Sequence, residues 1–306
     1  MKVNFNCNVR GKIDKLLCDI ARPESGGHSL FLTIQPCPQG SKQADIEFQA
    51  DFTAGRVKRP IKIHRTLKDT SNNRLWLIPT PLGKQKKNTV LPEETVRIIH
   101  SLDCFVVEKP QTALGFLRWI GHPVPDYQLT IRVLNKRTPD HEVHSFLKLL
   151  EERPVGLLSE AGAPGVADPG ARLVRLAHSR NYPIVPLVGP SSILLALMAS
   201  GLNGQSFAFH GYLPLDEKKR DQKLRELEGE SLRLNRTQIF METPFRNEAL
   251  FQQIMQSCKS GTLLSISCQL TLPDEFISTK TIYEWKKSAM PDIQKKPALF
   301  MIYSGS

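Results

Sequence analysis

The densest concentration of residues able to approach a ligand is Ser159-Glu160-Ala161-Gly162-Ala163-Pro164-Gly165-Val166-Ala167-Asp168-Pro169-Gly170, set between the apolar run VGLL and the amphipathic ARLVRLAHS. Glycines in it remove Cβ atoms, so the backbone can turn sharply and come close to a bound molecule. A strand-to-helix connection needs turn residues whatever it binds, and Asp168-Pro169 also reads as a helix N-cap followed by proline at the first helical position. Turn and ligand contact both account for the run. The chain has no G-x-x-x-x-G-K-[ST] and no G-x-G-x-x-G after a strand, which disfavours a P-loop and the ordinary dinucleotide fingerprint.

Three further apolar runs end in similar punctuation: Ile78-Pro79-Thr80-Pro81-Leu82-Gly83, Val188-Gly189-Pro190-Ser191-Ser192, and Met241-Glu242-Thr243-Pro244-Phe245-Arg246. Ligands of open α/β sheets bind outside the carboxyl ends of the strands. Four such loops, drawn from both halves of the chain, imply one inter-domain site. Metal chemistry is not expected: the six cysteines include no C-x-x-C pair, and the histidines form no cluster at ligand spacing.

The elements that must position these loops start at Leu75. Short apolar runs (LWLI, CFVVE, LTIRVL, VGLLS, YPIVPLV) alternate with amphipathic stretches (ETVRIIHSL, LGFLRWI, EVHSFLKLL, ARLVRLAHS, SSILLALMA). That alternation predicts a mainly parallel sheet with helices on its faces. The second half repeats the theme with SFAFHGYL, KKRDQKLRELE, TQIFME, NEALFQQIMQ, LLSISCQL, EFISTKTIYEW and ALFMIYS, where adjacent strands suggest a mixed sheet. The fold class is thus α/β, with a first α/β domain at 74–190, a second at 191–306 and a cleft between them. Residues 1–73 differ from the rest. Val3, Phe5, Cys7 and Val9 alternate as in a strand, and Ile13, Leu16, Leu17 and Ile20 recur at helical spacing. An extra module, a poorly ordered extension and a wrongly placed start all fit.

The series IPTPLG, VVE, SEAGAPGVADPG, PLVGPSS, ASGLNGQSFAFHGYLP and METPFRN, in this order and spacing, resembles the tetrapyrrole methylase superfamily of S-adenosylmethionine-dependent methyltransferases. Within it the chain is most similar to the 16S rRNA ribose 2′-O-methyltransferase family and its uncharacterised relatives. The resemblance spans about residues 74–304. It implies two α/β domains, S-adenosylmethionine in the cleft between them, and a homodimer. Carried over, it assigns Pro79, Gly162, Ala163, Pro164, Val166, Ser191, Ser192, Met241 and Ala298 to the cofactor. Ordinary core packing is the competing account for the apolar members, Met241 above all.

Two departures stand out. The ribose methyltransferases usually carry an acidic-acidic-Thr-Arg run after the second strand, whereas this chain has Glu108-Lys109-Pro110-Gln111. A threonine common in the cofactor loop is replaced by Ala163. A ribose hydroxyl is a poor nucleophile at neutral pH and gains from a nearby base. Glu108 is the candidate, with a solvated carboxylate paired to Lys109 as the bland reading. In the segment after LTIRVL, Asn135 is a candidate to orient the hydroxyl, and Lys136 and Arg137 to neutralise RNA phosphates.

Composition is consistent with these readings. The 306 residues carry 41 Lys+Arg against 30 Asp+Glu, a net charge of +11, which favours polyanionic partners such as RNA. Basic clusters fall at Lys84, Lys86 and Lys87, at Lys218, Lys219 and Arg220, and at Lys286, Lys287, Lys295 and Lys296. Helix faces whose lysines pair with nearby glutamates are the plain alternative. The N-terminus lacks the apolar core of a signal peptide, and Pro186, Gly189, Pro190 and Gly201 interrupt the longest charge-free stretch, 181–215. Cytoplasmic location without membrane insertion is expected. Two alternatives to RNA methylation stay open: a small-molecule, tetrapyrrole-like acceptor, and a non-catalytic cofactor-binding or RNA-binding protein.

Overall fold

The computed structural model describes residues 29–34, 46–51, 73–85 and 88–305. The strand and helix expected within residues 3–20, and Lys86 and Lys87 of the first basic cluster, lie outside the described residues. The chain divides into two units, and in the first Ser29–Ile34 (β1) pairs antiparallel with Ile46–Asp51 (β2). Thr70–Ser306 forms the other, and it contains two five-stranded sheets.

The first sheet is wholly parallel. Its strands are Leu75–Ile78 (β3), Cys104–Val107 (β4), Thr130–Val133 (β5), Val155–Leu158 (β6) and Ile184–Pro186 (β7), in the order β5-β4-β6-β3-β7. Strand β4 shows why these runs are apolar throughout. Cys104 and Val106 join one cluster with Val143 and Leu147, while Phe105 and Val107 join another with Ile99 and Leu117. Side chains alternate across a strand, so a sheet covered on both faces needs apolar residues at every position. The covering helices are Glu93–His100 (α1), Pro110–Trp119 (α2), Asp140–Glu152 (α3) and Gly170–Ser179 (α4). Helix α3 buries Val143, Phe146, Leu147 and Leu150, the stripe its spacing predicts.

Helix Ser192–Ser200 (α5) ends at Gly201, whose φ of 69° supplies the left-handed turn that closes a helix. The second sheet follows: Phe207–Tyr212 (β8), Thr237–Met241 (β9), Leu263–Cys268 (β10), Phe276–Thr281 (β11) and Ala298–Tyr303 (β12), in the order β11-β10-β12-β9-β8. Only the β8–β9 pairing is parallel, so the sheet is mixed, as the adjacent strand signals suggest. One face carries Glu217–Leu234 (α6), Asn247–Ser257 (α7) and Ile282–Lys287 (α8), around Leu224, Phe240, Phe251, Trp285 and Phe300. The other face packs Ile239, Leu299 and Met301 against Ala196 and Leu197 of α5. The run EFISTKTIYEW divides at Thr281. Thr281 accepts the Glu284 backbone N–H while Glu284 accepts that of Thr281, and this reciprocal cap starts α8.

Helix α4 begins at Gly170, one residue later than the Asp168-Pro169 signal suggests. Pro169 occupies the cap position, and Asp168 reaches past it to accept the Gly170 N–H at 2.8 Å. Gly189, after β7, is required by space. A Cβ there would stand 2.3 Å from Cγ of Pro79 and 3.1 Å from Cδ2 of Leu91. Gly189→Ala is therefore expected to cost about 1–3 kcal/mol through overpacking, read as a lower denaturant midpoint with an unchanged slope.

Candidate active site

The loops after β3 and β6 are joined by backbone. Thr80 N–H donates to the Gly162 carbonyl and Gly162 N–H to the Thr80 carbonyl, each at 3.0 Å, a short antiparallel bridge outside either strand. Side chains reinforce it: Ser159 Oγ donates to the Gly162 carbonyl at 2.6 Å, and Thr80 Oγ1 to the Ser159 carbonyl at 3.3 Å. From the bridge onward the chain enters the left-handed region three times, at Gly162 (φ 75°), Gly165 (φ 81°) and Ala167 (φ 60°). At Ala167 a Cβ makes that conformation costly, and such residues persist where their surroundings over-determine them. Asp168 Oδ1 accepts the N–H groups of both Gly165 and Gly170 at 2.8 Å, tying the loop to the start of α4. Burial pushes the Asp168 carboxyl above its ordinary range, against the opposing effect of those two N–H bonds.

This loop forms one wall of a cleft of about 380 Å³. Glu108 at the end of β4, Ser191, Ser192 and Ile193 at the start of α5, and Leu82 continue that side. The second sheet supplies Phe209 and Tyr212 of β8, Met241 of β9, Ser267, Gln269 and Leu270 at the end of β10, and Ala298 and Leu299 of β12. Tyr212 is there because β8 is bulged. Phe209 pairs with Ile239 and Tyr212 with Met241, so two residues of β8 lie opposite one of β9. The extra residue is accommodated at Gly211, whose φ is 64°. A bulge re-aims the side chain that follows it, and here it puts Tyr212 on the same face as Phe209 and Met241. In the loop after β9, the buried Glu242 carboxylate accepts the Thr243 N–H at 2.6 Å and Arg246 Nη2 at 2.5 Å. These bonds anchor the turn that carries Pro244 to the cleft.

Of the residues singled out in the sequence, Glu108, Gly162, Ala163, Val166, Ser191, Ser192, Met241 and Ala298 line this cleft. Pro164 belongs to the same loop without lining it, and Pro79 stands behind, against Gly189. Asn135, Lys136 and Arg137 are not among the lining residues. Asn135 Oδ1 accepts the Arg137 N–H at 2.8 Å, and its own N–H donates to Thr138 Oγ1 at 2.9 Å, so its side-chain oxygen closes a turn. Lys136 and Arg137 project from that turn, exposed.

Lys109 does not pair with Glu108. It bonds Glu160 at 3.1 Å, and Thr112 at the start of α2 bonds the same carboxylate at 3.2 Å. The hydrogen bond and charge of Glu160 raise the Lys109 pKa above its ordinary value. Glu108 is half-buried, with no side-chain hydrogen bond or ion pair among the described residues. Of the basic clusters, Arg220 is buried and donates to the carbonyls of Pro214 and Leu215, Lys296 pairs with Asp292 at 2.7 Å, and Lys287 lies over the Tyr283 ring. Along α6, Lys223 pairs with Glu226 and Arg225 with Asp221, the plain reading of that helix.

Sequence reasoning assigned no individual role to Tyr212, Glu160, Ser267 and Gln269. Glycine inside the run FAFHGY is a bulge signal that identifies Tyr212. Gln269 adopts φ 54° as β10 ends, and nothing in its residue type announces that. Among the described residues no group of three or more potential metal ligands occurs, and no helix is long and apolar enough to cross a membrane.

No family model matches the chain. It is similar to the ribosomal RNA small subunit methyltransferase I of Vibrio cholerae, 28% identical over 237 residues that cover 76% of this chain and 77% of the relative. The Escherichia coli O157:H7 protein of that name is 27% identical over 78% of this chain and 79% of its own length, and that of Bacillus subtilis 32% identical over 56% and 55%. Among solved structures, cobalt precorrin-4 methyltransferase CbiF superposes with a TM-score of 0.51 at 14% identity, covering 76% of this chain and 96% of its own. The methyltransferase CobJ gives 0.50 at 17% identity, covering 76% and 99%. These two likenesses show the fold.

Asp168 separates charge from hydrogen bonding in the cleft loop. Asp168→Asn keeps an acceptor oxygen and is expected to leave ligand affinity within about twofold, whereas Asp168→Ala orphans two N–H groups and costs about 1–3 kcal/mol of stability. Because the folded carboxyl is raised, its contribution to stability is greatest when protonated and is lost as pH rises through its folded pKa. The parent should therefore lose stability relative to Asp168→Asn as pH rises across that range, followed by thermal unfolding at each pH.

Proposed function

We propose that this relative of the small subunit ribosomal RNA methyltransferases, built on the tetrapyrrole methylase fold, is an S-adenosylmethionine-dependent methyltransferase whose acceptor is a ribose 2′-hydroxyl of small-subunit rRNA. One observation carries the cofactor reading: the cleft-facing loops leave the carboxyl ends of a parallel sheet, and the central one turns through three left-handed residues with Asp168 holding its N–H groups. The acceptor reading is supported by the named rRNA methyltransferases, matched over about three quarters of both chains.

The cleft residues suit a sulfonium nucleoside with an amino-acid tail. Gly162, Ala163, Pro164 and Val166 form the wrapping loop. Ser191 and Ser192 stand at the start of α5, whose first N–H groups have no intrahelical partner and favour a carboxylate. Met241 and Ala298 give apolar contact from the second sheet. Pro79 acts indirectly, by packing on Gly189. When bound, S-adenosylmethionine supplies a methyl group activated for transfer to an oxygen. The protein's part is to hold the acceptor in line and exclude water.

Glu108 is the base in this reading, because it lines the cleft and its side chain has no hydrogen bond or ion pair among the described residues. Lys109, expected to pair with it, is hydrogen-bonded to Glu160 instead, which keeps the role of base open to Glu108 in this reading. The turn closed by Asn135 presents Lys136 and Arg137 to phosphates, so Asn135 positions the loop. The Ala163 methyl leaves cofactor contact at that point to the backbone. The reading takes 74–190 and 191–306 as the two domains whose loops face each other. It also takes the protein to be a cytoplasmic homodimer, with the exposed Leu194 and Met198 on α5 as apolar surface for a second copy.

Calorimetric titration with S-adenosylmethionine, followed by labelled methyl transfer to small ribosomal subunits lacking their modifications, tests the proposal. Binding with transfer to rRNA is the expected result; binding without transfer removes the RNA acceptor, and no binding by folded protein removes the cofactor. Glu108→Gln should lower single-turnover transfer by about 10²–10⁴-fold with cofactor affinity unchanged. The double change Lys136→Ala and Arg137→Ala should weaken RNA binding and reduce its salt slope by about 2, one for each lost phosphate contact, as measured by filter binding across a salt series.

A further inference from the structure

Strand β10, LLSISC, distributes its side chains by parity. Leu264, Ile266 and Cys268 enter the core beneath α6 and α7. Ser265 and Ser267 take the other face, opposite Met301 and Leu299 of β12, where the neighbours are the apolar residues packed on α5. Ser265 is 0% and Ser267 1% exposed, and neither hydroxyl has a hydrogen-bond partner among the described residues. A buried hydroxyl without a partner gives up its water and gains nothing in return. The two differ in one respect: Ser267 lines the cleft and Ser265 does not.

The surroundings of Ser267 narrow what would use it. Ile193, Leu270, Ala298 and Leu299 line the cleft with it, while the charged groups, Glu108, Glu160 and Asp168, all come from the first sheet's loops. A wall that is uncharged, and apolar apart from Ser267, Tyr212 and Gln269, suits a flat heteroaromatic ring with a polar edge, and does not suit a carboxylate or an ammonium group. A serine side chain has one heavy-atom torsion with three staggered wells, so its hydroxyl is re-aimed by rotation about a single bond. We propose that Ser267 is a purine-recognising residue of the cofactor site, its hydroxyl bonding the polar edge of the adenine ring. The inference rests on the cofactor reading above and adds a specificity residue to it.

The orphaned hydroxyl gives the test a signature that a merely structural residue lacks. In the full-length chain, Ser267→Ala should raise the ligand-free thermal midpoint by about 2–4 °C, because an unpaired polar group has been removed. The same change should weaken S-adenosylmethionine about tenfold, equivalent to about 1.4 kcal/mol. 5′-Methylthioadenosine, which keeps the adenosine and lacks the amino-acid tail, should lose affinity by the same factor. Ser265→Ala should raise the midpoint likewise and leave both affinities unchanged. Ser267→Cys, which keeps the side-chain shape with a somewhat larger atom and offers a weaker donor, should show most of the affinity loss if the alanine variant fails to fold. Equal binding of S-adenosylmethionine by Ser267→Ala and the parent would overturn the inference and leave the cofactor reading intact. A loss confined to S-adenosylmethionine would also overturn it, by moving the contact to the amino-acid end. A folded parent that binds neither nucleoside would overturn both.

Discussion

The pair of backbone bonds between Thr80 and Gly162 is the constraint around which the site is arranged. Both groups lie past the ends of their strands, where the sheet ladder no longer satisfies them, and both residues need partners for buried N–H and C=O groups. By bonding each other they extend the contact between β3 and β6 one step beyond the sheet. The 159–168 loop is then obliged to turn back through left-handed conformations and open its backbone toward the cleft. Ser159, Thr80 and Asp168 are short polar side chains spent on holding that turn, which is why the loop can be rich in small residues and still have one shape.

Much of this architecture was legible in the chain, for a physical reason. A parallel sheet buried on both faces needs strands such as CFVV and VGLL that are apolar at every position, and the helices between them need one apolar stripe; both patterns are local. The strand ends were legible as well, since proline and glycine mark them, and eight of the nine-plus-one residues proposed from Pro79 to Ala298 together with Glu108 line one cleft. What was not legible depends on distant partners. Lys109 follows Glu108 directly, and only the fold brings Glu160 near enough to take it. Asn135 carries a side chain suited to a substrate hydroxyl, yet a backbone N–H two residues on is closer. Ser267 sits in an apolar strand where a serine is unremarkable until its missing partner is seen.

The excess of positive charge has a similar history. Runs of lysine and arginine look alike along the chain, but their side chains meet different fates. Arg220 is drawn inward to carbonyl groups, residues of α6 pair along their own helix, and Lys296 is held between Asp274 and Asp292. Charge committed in this way contributes to the net field and little to local recognition, since exposed pairs are strongly screened. Net charge is therefore a property of the whole chain, while a binding surface is made only by those cations that the fold leaves uncommitted.

The extra residue in β8 loosens the tie between strand composition and facing. A regular strand couples composition to facing, so any change of register would exchange the whole set of residues between the core and the cleft. The bulge at Gly211 breaks that coupling at one point. Upstream of it, Ala208 and Phe209 remain paired with β9; downstream, the side of the sheet to which Tyr212 belongs is decided by the count of residues in the bulge. Residues at the open end of the strand can thus be exchanged without altering the register of the ladder beneath them.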